Sequence, residues 1–249
     1  DALLSMRTDT AFWQDFGRGH ELARIAALEP PDRVLGGDEA YLDLVAEAFA
    51  KVIDAKSPWT YRHSTGVADI ATSIGRKIGY GPEELRDLRR AALLHDVGKL
   101  AVSNLILDKP GKLTDAEMTI VRNHPGHTWE ILNRVGCFRH LTEIAASHHE
   151  RLDGNGYHRR IGSGALSTAA RVLCTADICD ALLATRPYRP GLAPERVMEI
   201  MGREIDVAID RECFEALGAV LTADVNDRAD QAPAVEVVRA LAEDYHQAA

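Results

Sequence analysis

The chain has 249 residues, of which 46% are hydrophobic and 27% are charged, so it is long enough to bury a core of its own. Lysine and arginine number 29 against 38 acidic residues, and the net charge of −9 argues against non-specific binding to duplex nucleic acid. There is no apolar run of transmembrane length, no signal peptide and no Cys-x-x-Cys pair, so we expect a cytoplasmic protein with reduced cysteines.

Apolar residues recur at helical spacing through almost the whole chain, and this predicts an all-α fold. A helix-rich lead covers residues 1–28, and the proline and glycine residues between positions 29 and 37 predict a domain boundary. A capping box at Thr114 opens a long helix that His124-Pro125 kinks or interrupts. Residues 224–233 are expected to be loosely held. The other predicted helices cover residues 38–56, 60–78, 82–96, 141–149, 167–185, 194–205, 214–221 and 235–245.

These elements divide the chain into three predicted parts. Residues 1–35 form a short N-terminal helical segment, residues 36–225 a catalytic domain, and residues 226–249 a C-terminal helical tail. The first part is either the tail of an upstream regulatory domain or a dimerisation arm, and the pattern does not decide between them. A homodimer is therefore left open.

Five histidines and two aspartates, spread over about half of the chain, are of the residue types that bind metal ions. They are His63, His95, Asp96, His124, His148, His149 and Asp177. Imidazole nitrogens and carboxylate oxygens suit Fe, Mn, Zn or Ni, whereas a soft-metal site would need thiolates. Because a pair of such ions lowers the pKa of water and holds a phosphate, the set points to phosphoester hydrolysis.

Two adjacent pairs, His95-Asp96 and His148-His149, strengthen this interpretation. Neighbouring residues on a helix point about 100° apart, so the aspartate can span two metal ions and the two histidines can serve them separately. Asp177 has an alternative interpretation as half of a buried salt bridge, for example to Arg171. The remaining histidines are interpreted as exposed polar residues: His20, His127, His140, His158 and His246.

An ordered series of motifs resembles the HD-GYP family of phosphohydrolases, whose members hydrolyse the bacterial second messenger cyclic di-GMP. The matching pieces are residues 55–64, His95-Asp96-Val97-Gly98-Lys99, residues 109–114, Asn123-His124-Pro125, residues 148–157, Ala176-Asp177 and residues 180–189. The resemblance spans roughly residues 38–220. It implies an HD-type helical bundle with two divalent metal ions, commonly iron or manganese, with Zn, Ni or Mg as alternatives.

The resemblance also implies a role for each matching residue. The seven histidines and aspartates become the metal ligands, and Asp96, which bridges the metals, is one catalytic residue. Lys99, on the substrate phosphate, is the other. The implied substrate-binding residues are Lys99, Asp153, Gly156, Tyr157, Arg186 and Arg189. For the last two, a solvated surface turn is the alternative.

Four positions depart from the family pattern. His158 replaces the proline of the Gly-Tyr-Pro signature, so a looser loop is expected, because proline would fix the backbone angle φ there. Thr128 replaces a glycine, which predicts a reshaped helix, and Ser167 replaces a proline. Trp59 stands where some members carry a glutamate that binds a third metal, so two metals are expected here.

The expected activity is metal-dependent hydrolysis of cyclic di-GMP to linear pGpG, with a further cut to GMP left open. One alternative keeps the metals and changes the substrate to another cyclic dinucleotide, such as a GMP-AMP hybrid, or to a nucleotide. The other alternative is a non-catalytic receptor for cyclic di-GMP, suggested by the missing signature proline.

Overall fold

The computed structural model describes residues 38–56, 62–185 and 190–230, with side chains up to residue 222. These residues form ten α-helices and two 3₁₀ helices and no β-strand, which confirms the predicted all-α class. The α-helices are α1 Glu39–Asp54, α2 His63–Lys77, α3 Pro82–Leu94, α4 Asn104–Leu107, α5 Asp115–Arg122, α6 His124–Arg134, α7 Thr142–Ala146, α8 Thr168–Leu183, α9 Pro194–Gly202 and α10 Arg211–Asp230. The 3₁₀ helices are Val97–Ala101 and Gly136–Leu141.

Most predicted helices are confirmed with their ends moved by a few residues. Thr114 caps α5 through a capping box with Glu117, and the break before His124 separates α5 from α6 as predicted. Residues 224–230, expected to be loosely held, are helical, because α10 continues to Asp230 through residues that include no glycine or proline. The predictions for residues 1–37, Trp59 and residues 231–249 lie outside the described residues.

Helix α8 forms the centre of the bundle. The side chains of α8 itself are small or apolar on nearly every face, as expected for a helix that is buried all round. It packs against α2, α3, α7, α9 and α10. Ser167 is the N-cap of α8, and its hydroxyl accepts a hydrogen bond from the backbone N–H of Ala170. The family pattern has a proline at this position. A polar residue that faces inward on α8 is therefore held in the core.

Helix α2 is joined to α1 by a buried carboxylate. Asp54, the last residue of α1, accepts a hydrogen bond from the Ser64 hydroxyl at 2.6 Å and a longer one from the Ser64 backbone N–H at 3.3 Å. These bonds satisfy a donor in the first turn of α2, which has no N-cap side chain of its own. They also fix the position of His63, the first residue of that helix.

The turn after α3 packs tightly against α6. A Cβ atom on Gly98 would lie 1.9 Å from the carbonyl oxygen of His124, so only glycine fits this contact. The Thr128 hydroxyl donates to the His95 carbonyl at 2.8 Å and accepts the Gly98 N–H at 3.0 Å. Helix α6 runs unbroken past Thr128. The threonine ties α6 to the turn that follows α3.

None of the helices in the described residues combines the length and the apolar character that crossing a bilayer requires.

Candidate metal centre

The seven histidine and aspartate side chains singled out from the sequence lie together in the interior of the bundle. They come from α2, α6 and α8, from the turn after α3 and from the turn after α7. Their ligand atoms fall into three overlapping groups whose members lie within 4.8 Å of one another. The groups are His63, His95 and Asp177; His95, Asp96 and His148; and His124, His148 and His149.

Asp96 lies between the two halves of this cluster. Its Oδ2 is 3.4 Å from His95 Nε2 and 3.8 Å from His63 Nε2. Its Oδ1 is 3.2 Å from His124 Nε2 and 3.7 Å from His148 Nε2. The two oxygens of one carboxylate thus face two different pairs of imidazoles, which is the arrangement that a bridging ligand requires.

Asp177 faces the same cluster from α8. Its Oδ1 is 3.2 Å from His63 Nε2 and 3.9 Å from His95 Nε2, and its Oδ2 is 3.8 Å from His149 Nδ1. Arg171, the alternative partner suggested by the sequence, pairs with Asp210 at 2.9 Å instead. The structure therefore places Asp177 with the histidines and not in a salt bridge with Arg171.

Three of the imidazoles are oriented by the backbone of their own helical turn. In each, Nδ1 donates a hydrogen bond to the carbonyl three residues earlier, which directs Nε2 into the cluster. The donor and acceptor pairs are His95 with Ala92, His124 with Val121 and His148 with Ala145, each at 2.7 Å. These hydrogen bonds fix the tautomer of the neutral ring with the proton on Nδ1. The lone pair on Nε2 is then available to bind a metal.

His63 is oriented by a carboxylate that the sequence analysis did not single out. Its Nδ1 donates to Asp180 Oδ2 at 2.6 Å. Gly66 leaves room for this carboxylate, because a Cβ atom there would lie 2.2 Å from Asp180 Oδ1. The signal available in the sequence was spacing, since Asp180 follows Asp177 by three residues and so lies on the same side of α8.

The two carboxylates of the cluster remain ionised despite their burial. Burial alone would raise the pKa of Asp96, but Lys99 and His95 hold that pKa well below its usual range. Burial would likewise raise the pKa of Asp177. The hydrogen bond to His63 and the nearby His95 and His149 instead keep that pKa below its usual range. Both side chains are therefore available as anionic ligands at neutral pH.

Three histidines of the cluster have strongly shifted pKa values. Burial lowers the pKa of His148 well below its usual value and that of His149 to about 4, so both rings are neutral at pH 7. Burial also acts to lower the pKa of His63, but hydrogen bonds to Asp177 and Asp180 raise it to about 10. The neutral pair can accept a cation without losing a proton, whereas His63 releases one when a metal binds.

The cluster fits a pair of cations. His95 Nε2 and Asp96 Oδ1 are buried without a hydrogen-bond partner among the described residues, which is costly unless a metal ion satisfies them. His124 Nε2 and His148 Nε2 lie 3.0 Å apart, and since both rings donate through Nδ1, two lone pairs face each other. A cation beside these nitrogens would remove that repulsion. The donor set suits Fe, Mn, Zn or Ni.

Lys99 reaches the centre from the 3₁₀ helix that follows the His-Asp pair. Its Nζ lies 2.5 Å from Asp96 Oδ2, and its side chain is 22% exposed. The ammonium group thus lies at the edge of the cluster, between the bridging carboxylate and solvent. This placement is compatible with the predicted contact to a substrate phosphate.

The loop predicted to lie beside the site covers the outer histidine. The Tyr157 ring lies 4.7 Å from the His149 ring at an interplanar angle of 35°, and the Tyr157 N–H donates to the His149 carbonyl at 3.1 Å. A Cβ atom on Gly156 would lie 2.4 Å from the Cα of Glu150, so glycine permits this close packing. Tyr157 thus forms part of the wall of the site.

Asp153, another residue predicted to bind substrate, makes its hydrogen bonds within its own loop. The Asp153 carboxylate is engaged by the Arg151 guanidinium at 3.2 Å and by the Asn155 N–H at 2.9 Å, so it stabilises the loop. Arg186 and Arg189 lie outside the described residues.

Glu150 is a functional candidate that the sequence analysis missed. It is 1% exposed, and its Oε1 accepts the N–H groups of Arg159 at 2.7 Å and Arg160 at 3.1 Å. Its Oε2 accepts the N–H of Ile161 at 3.1 Å. The signals in the sequence were its place directly after the His148-His149 pair and its position inside the matching motif of residues 148–157. The carboxylate anchors the far end of the loop that carries Tyr157.

The histidine that replaces the signature proline is packed against the bundle. The His158 ring lies 6.4 Å from the Trp129 ring, beside Gly126, and burial lowers its pKa. Its interpretation as an exposed polar residue was therefore wrong, and His127 is likewise half-buried, while His140 is exposed as expected. His20 and His246 lie outside the described residues.

Comparison with known proteins agrees with this geometry. The family model of the HD domain matches residues 47–213. The chain is similar to the 3′3′-cGAMP-specific phosphodiesterase 3 of Vibrio cholerae, with 46% identity over 198 residues that cover 80% of this chain and 43% of that protein. It is also similar to the cyclic di-GMP phosphodiesterase response regulator RpfG of Xanthomonas campestris pv. campestris, with 33% identity over 175 residues, 68% of this chain and 45% of that protein.

A solved structure of a phosphodiesterase is also similar to this chain. The crystal structure of V-cGAP3, a cyclic GMP-AMP specific phosphodiesterase of V. cholerae, superposes with a TM-score of 0.53 and 39% identity, and the match covers 88% of this chain and 50% of that one. The chain spans less than half the length of the two curated relatives named above. The family match, the ordered motifs and the His-Asp centre agree with one another. This chain therefore belongs to the HD-domain family and, within it, to the HD-GYP group.

Proposed function

We propose that this chain is a metal-dependent phosphodiesterase that hydrolyses a cyclic dinucleotide. The observation that carries the proposal is the position of Asp96, whose two oxygens face separate pairs of histidines. Such a carboxylate can join two cations, and two-metal sites suit the hydrolysis of phosphodiesters. The phosphodiesterase activities named for the relatives support the same reaction class.

The preferred substrate we propose is 3′3′-cGAMP, with cyclic di-GMP as the second candidate. The sequence motifs predicted cyclic di-GMP, and that substrate is named for the relative with 33% identity. The relative with 46% identity is named as specific for 3′3′-cGAMP. The higher identity favours the mixed dinucleotide, which the sequence analysis held as an alternative.

The residues that would hold the metals fall into two sets joined by Asp96. His63, His95 and Asp177 form one set. His124, His148 and His149 form the other. A pair of divalent ions bound there would polarise the phosphate and lower the pKa of water.

The protein supplies the remaining chemistry through groups at the edge of the centre. Lys99 carries a positive charge 2.5 Å from the bridging carboxylate, where it can stabilise negative charge that builds on a phosphoryl oxygen. Tyr157 covers the His149 ring and limits the access of water from that side. Arg186 and Arg189 remain predicted substrate contacts.

Turnover by protein prepared without oxygen tests the proposal. The protein is reconstituted separately with Fe, Mn or Zn, and 3′3′-cGAMP and cyclic di-GMP are supplied in turn, with products separated by chromatography. We expect linear dinucleotide, and loss of more than about a hundredfold in rate on chelation or in Asp96→Asn, which keeps the side-chain shape and removes the charge. Full activity of Asp96→Asn would contradict the proposal. Metal binding and dinucleotide binding without turnover under reducing conditions would support the receptor alternative instead.

A further inference from the structure

Arg122 is an exposed cation held next to the metal centre. It is the last residue of α5 and lies two positions before His124. The carbonyl of Val121, its neighbour, accepts the hydrogen bond from His124 Nδ1 at 2.7 Å. The backbone that carries Arg122 is therefore fixed by the same contact that orients one of the imidazoles.

The guanidinium of Arg122 lies over the ring of Tyr157. Its central carbon is 5.7 Å from the centre of that ring, within the range of a cation–π contact. The Tyr157 ring is in turn 4.7 Å from the His149 ring. The guanidinium carbon therefore lies no farther than the sum of these two distances, about 10 Å, from the ring of His149.

Arg122 is exposed and has no acidic partner within the described part of the chain. Three other arginines of the domain are each paired with carboxylates: Arg151 with Asp153 and Glu204, Arg159 with Glu143, and Arg171 with Asp210. In a protein with a net charge of −9, an unpaired guanidinium beside a metal centre attracts an anion to that place.

We propose that Arg122, stacked on Tyr157, binds the phosphate of the cyclic dinucleotide that is not being hydrolysed. This inference rests on the proposed function. A cyclic dinucleotide carries two phosphodiester groups in one ring, so when one is at the metals the other needs a separate cation. The planar guanidinium can donate two parallel hydrogen bonds to a phosphate while its face stays on the tyrosine ring. Lys99 is engaged with Asp96 at the metal centre, where the first phosphate would bind.

This assignment predicts an effect on binding rather than on the chemical step, because Arg122 does not contact the reacting phosphate. Arg122→Ala should raise KM for the cyclic dinucleotide roughly tenfold or more, as expected for loss of a charge-assisted hydrogen bond, with kcat changed less than about twofold. Arg122→Lys keeps the charge without the planar fork and should recover part of the affinity.

The experiment compares two substrates and one matched control variant. Bis(4-nitrophenyl) phosphate has a single phosphodiester, so its hydrolysis reports on the metal centre alone. Arg134 is an exposed arginine in the last turn of α6, roughly 15 Å along the helix from His124, and Arg134→Ala removes the same charge away from the site. Metal content is measured in every variant.

The proposal is supported if Arg122→Ala raises KM for the cyclic dinucleotide but leaves metal content and the hydrolysis of bis(4-nitrophenyl) phosphate unchanged. Arg134→Ala should then behave like the wild type with both substrates. The proposal is overturned if Arg122→Ala leaves KM unchanged, if both substrates suffer equally, or if Arg134→Ala has the same effect. A wild-type protein that hydrolyses bis(4-nitrophenyl) phosphate but neither dinucleotide refutes the proposed function itself, and this proposal with it.

Discussion

Replacing Glu150 by alanine tests whether one buried carboxylate holds the loop of Tyr157 against the metal centre. The Glu150 side chain is 1% exposed and accepts three backbone N–H groups, those of Arg159, Arg160 and Ile161, at 2.7, 3.1 and 3.1 Å. Alanine removes all three acceptor contacts at once. We expect the loop from residue 153 to residue 161 to lose its fixed position, and Tyr157 to lose its stacking on the His149 ring.

The magnitude follows from the number and kind of these bonds. A hydrogen bond to a charged group contributes about 1.5–3 kcal/mol, but the three bonds share one carboxylate and water can fill part of the space. We therefore expect Glu150→Ala to lower the free energy of unfolding by about 3–4 kcal/mol. Glu150→Gln keeps Oε1 but turns an amide NH₂ group toward the Ile161 N–H, so its loss should be about 1–2 kcal/mol.

Urea denaturation of the metal-loaded protein measures these losses, and turnover of the cyclic dinucleotide measures the effect on the site. Glu143→Gln is the matched control, because Glu143 pairs with Arg159 at the surface and an exposed pair contributes less than about 1 kcal/mol. If Glu150→Ala is no more destabilising than Glu143→Gln and leaves KM unchanged, the reasoning about this loop is refuted.

Three further predictions concern the centre itself. Thr128→Val keeps the side-chain volume but removes the bonds to His95 and Gly98, so we expect a loss of about 1–2 kcal/mol in urea denaturation and weaker metal retention; wild-type values of both would contradict this. In metal-free protein the pKa of His63 is about 10, above its usual 6.5, because two aspartates outweigh burial. Its contribution to stability is complete below pH 6.5 and is lost as the pH rises toward 10, so thermal melting should show an alkaline loss that is smaller in His63→Asn. Burial lowers the pKa of His149 to about 4, so the contribution of its neutral ring to stability is present above pH 6.5 and is lost as the pH falls toward 4. The fall in melting temperature on the acid side should therefore be shallower in His149→Asn.

The helices and the ligand set could be predicted because both leave strong local signals. Helical periodicity gave the extent of α3 and α8, and the capping box at Thr114 gave the start of α5. The seven candidate metal ligands, which the structure brings together, could be recognised by residue type and by two adjacent pairs. Their separation along the chain did not obscure them, since a metal centre requires particular donors and not a particular spacing.

The residues that support the ligands could not be predicted in the same way. Asp180 and Glu150 both lie within motifs that match the family, but those motifs do not indicate which groups the two carboxylates contact. Asp180 meets His63 across 117 positions of sequence, a pairing that only tertiary packing creates. Asp153 belongs to a family motif, but its ion pair with Arg151 within the loop was not visible in that motif. A motif identifies the place of a residue, whereas its contacts decide what it does.

The metal-to-protein ratio of the chain, purified without oxygen and measured by elemental analysis, tests most directly whether the seven ligands hold two ions. We predict two divalent ions per chain in the wild type and a lower ratio in Asp96→Ala, which removes the carboxylate that faces both halves of the cluster. A wild-type protein that binds no metal under these conditions, or that remains fully active once chelation has removed it, would contradict the account.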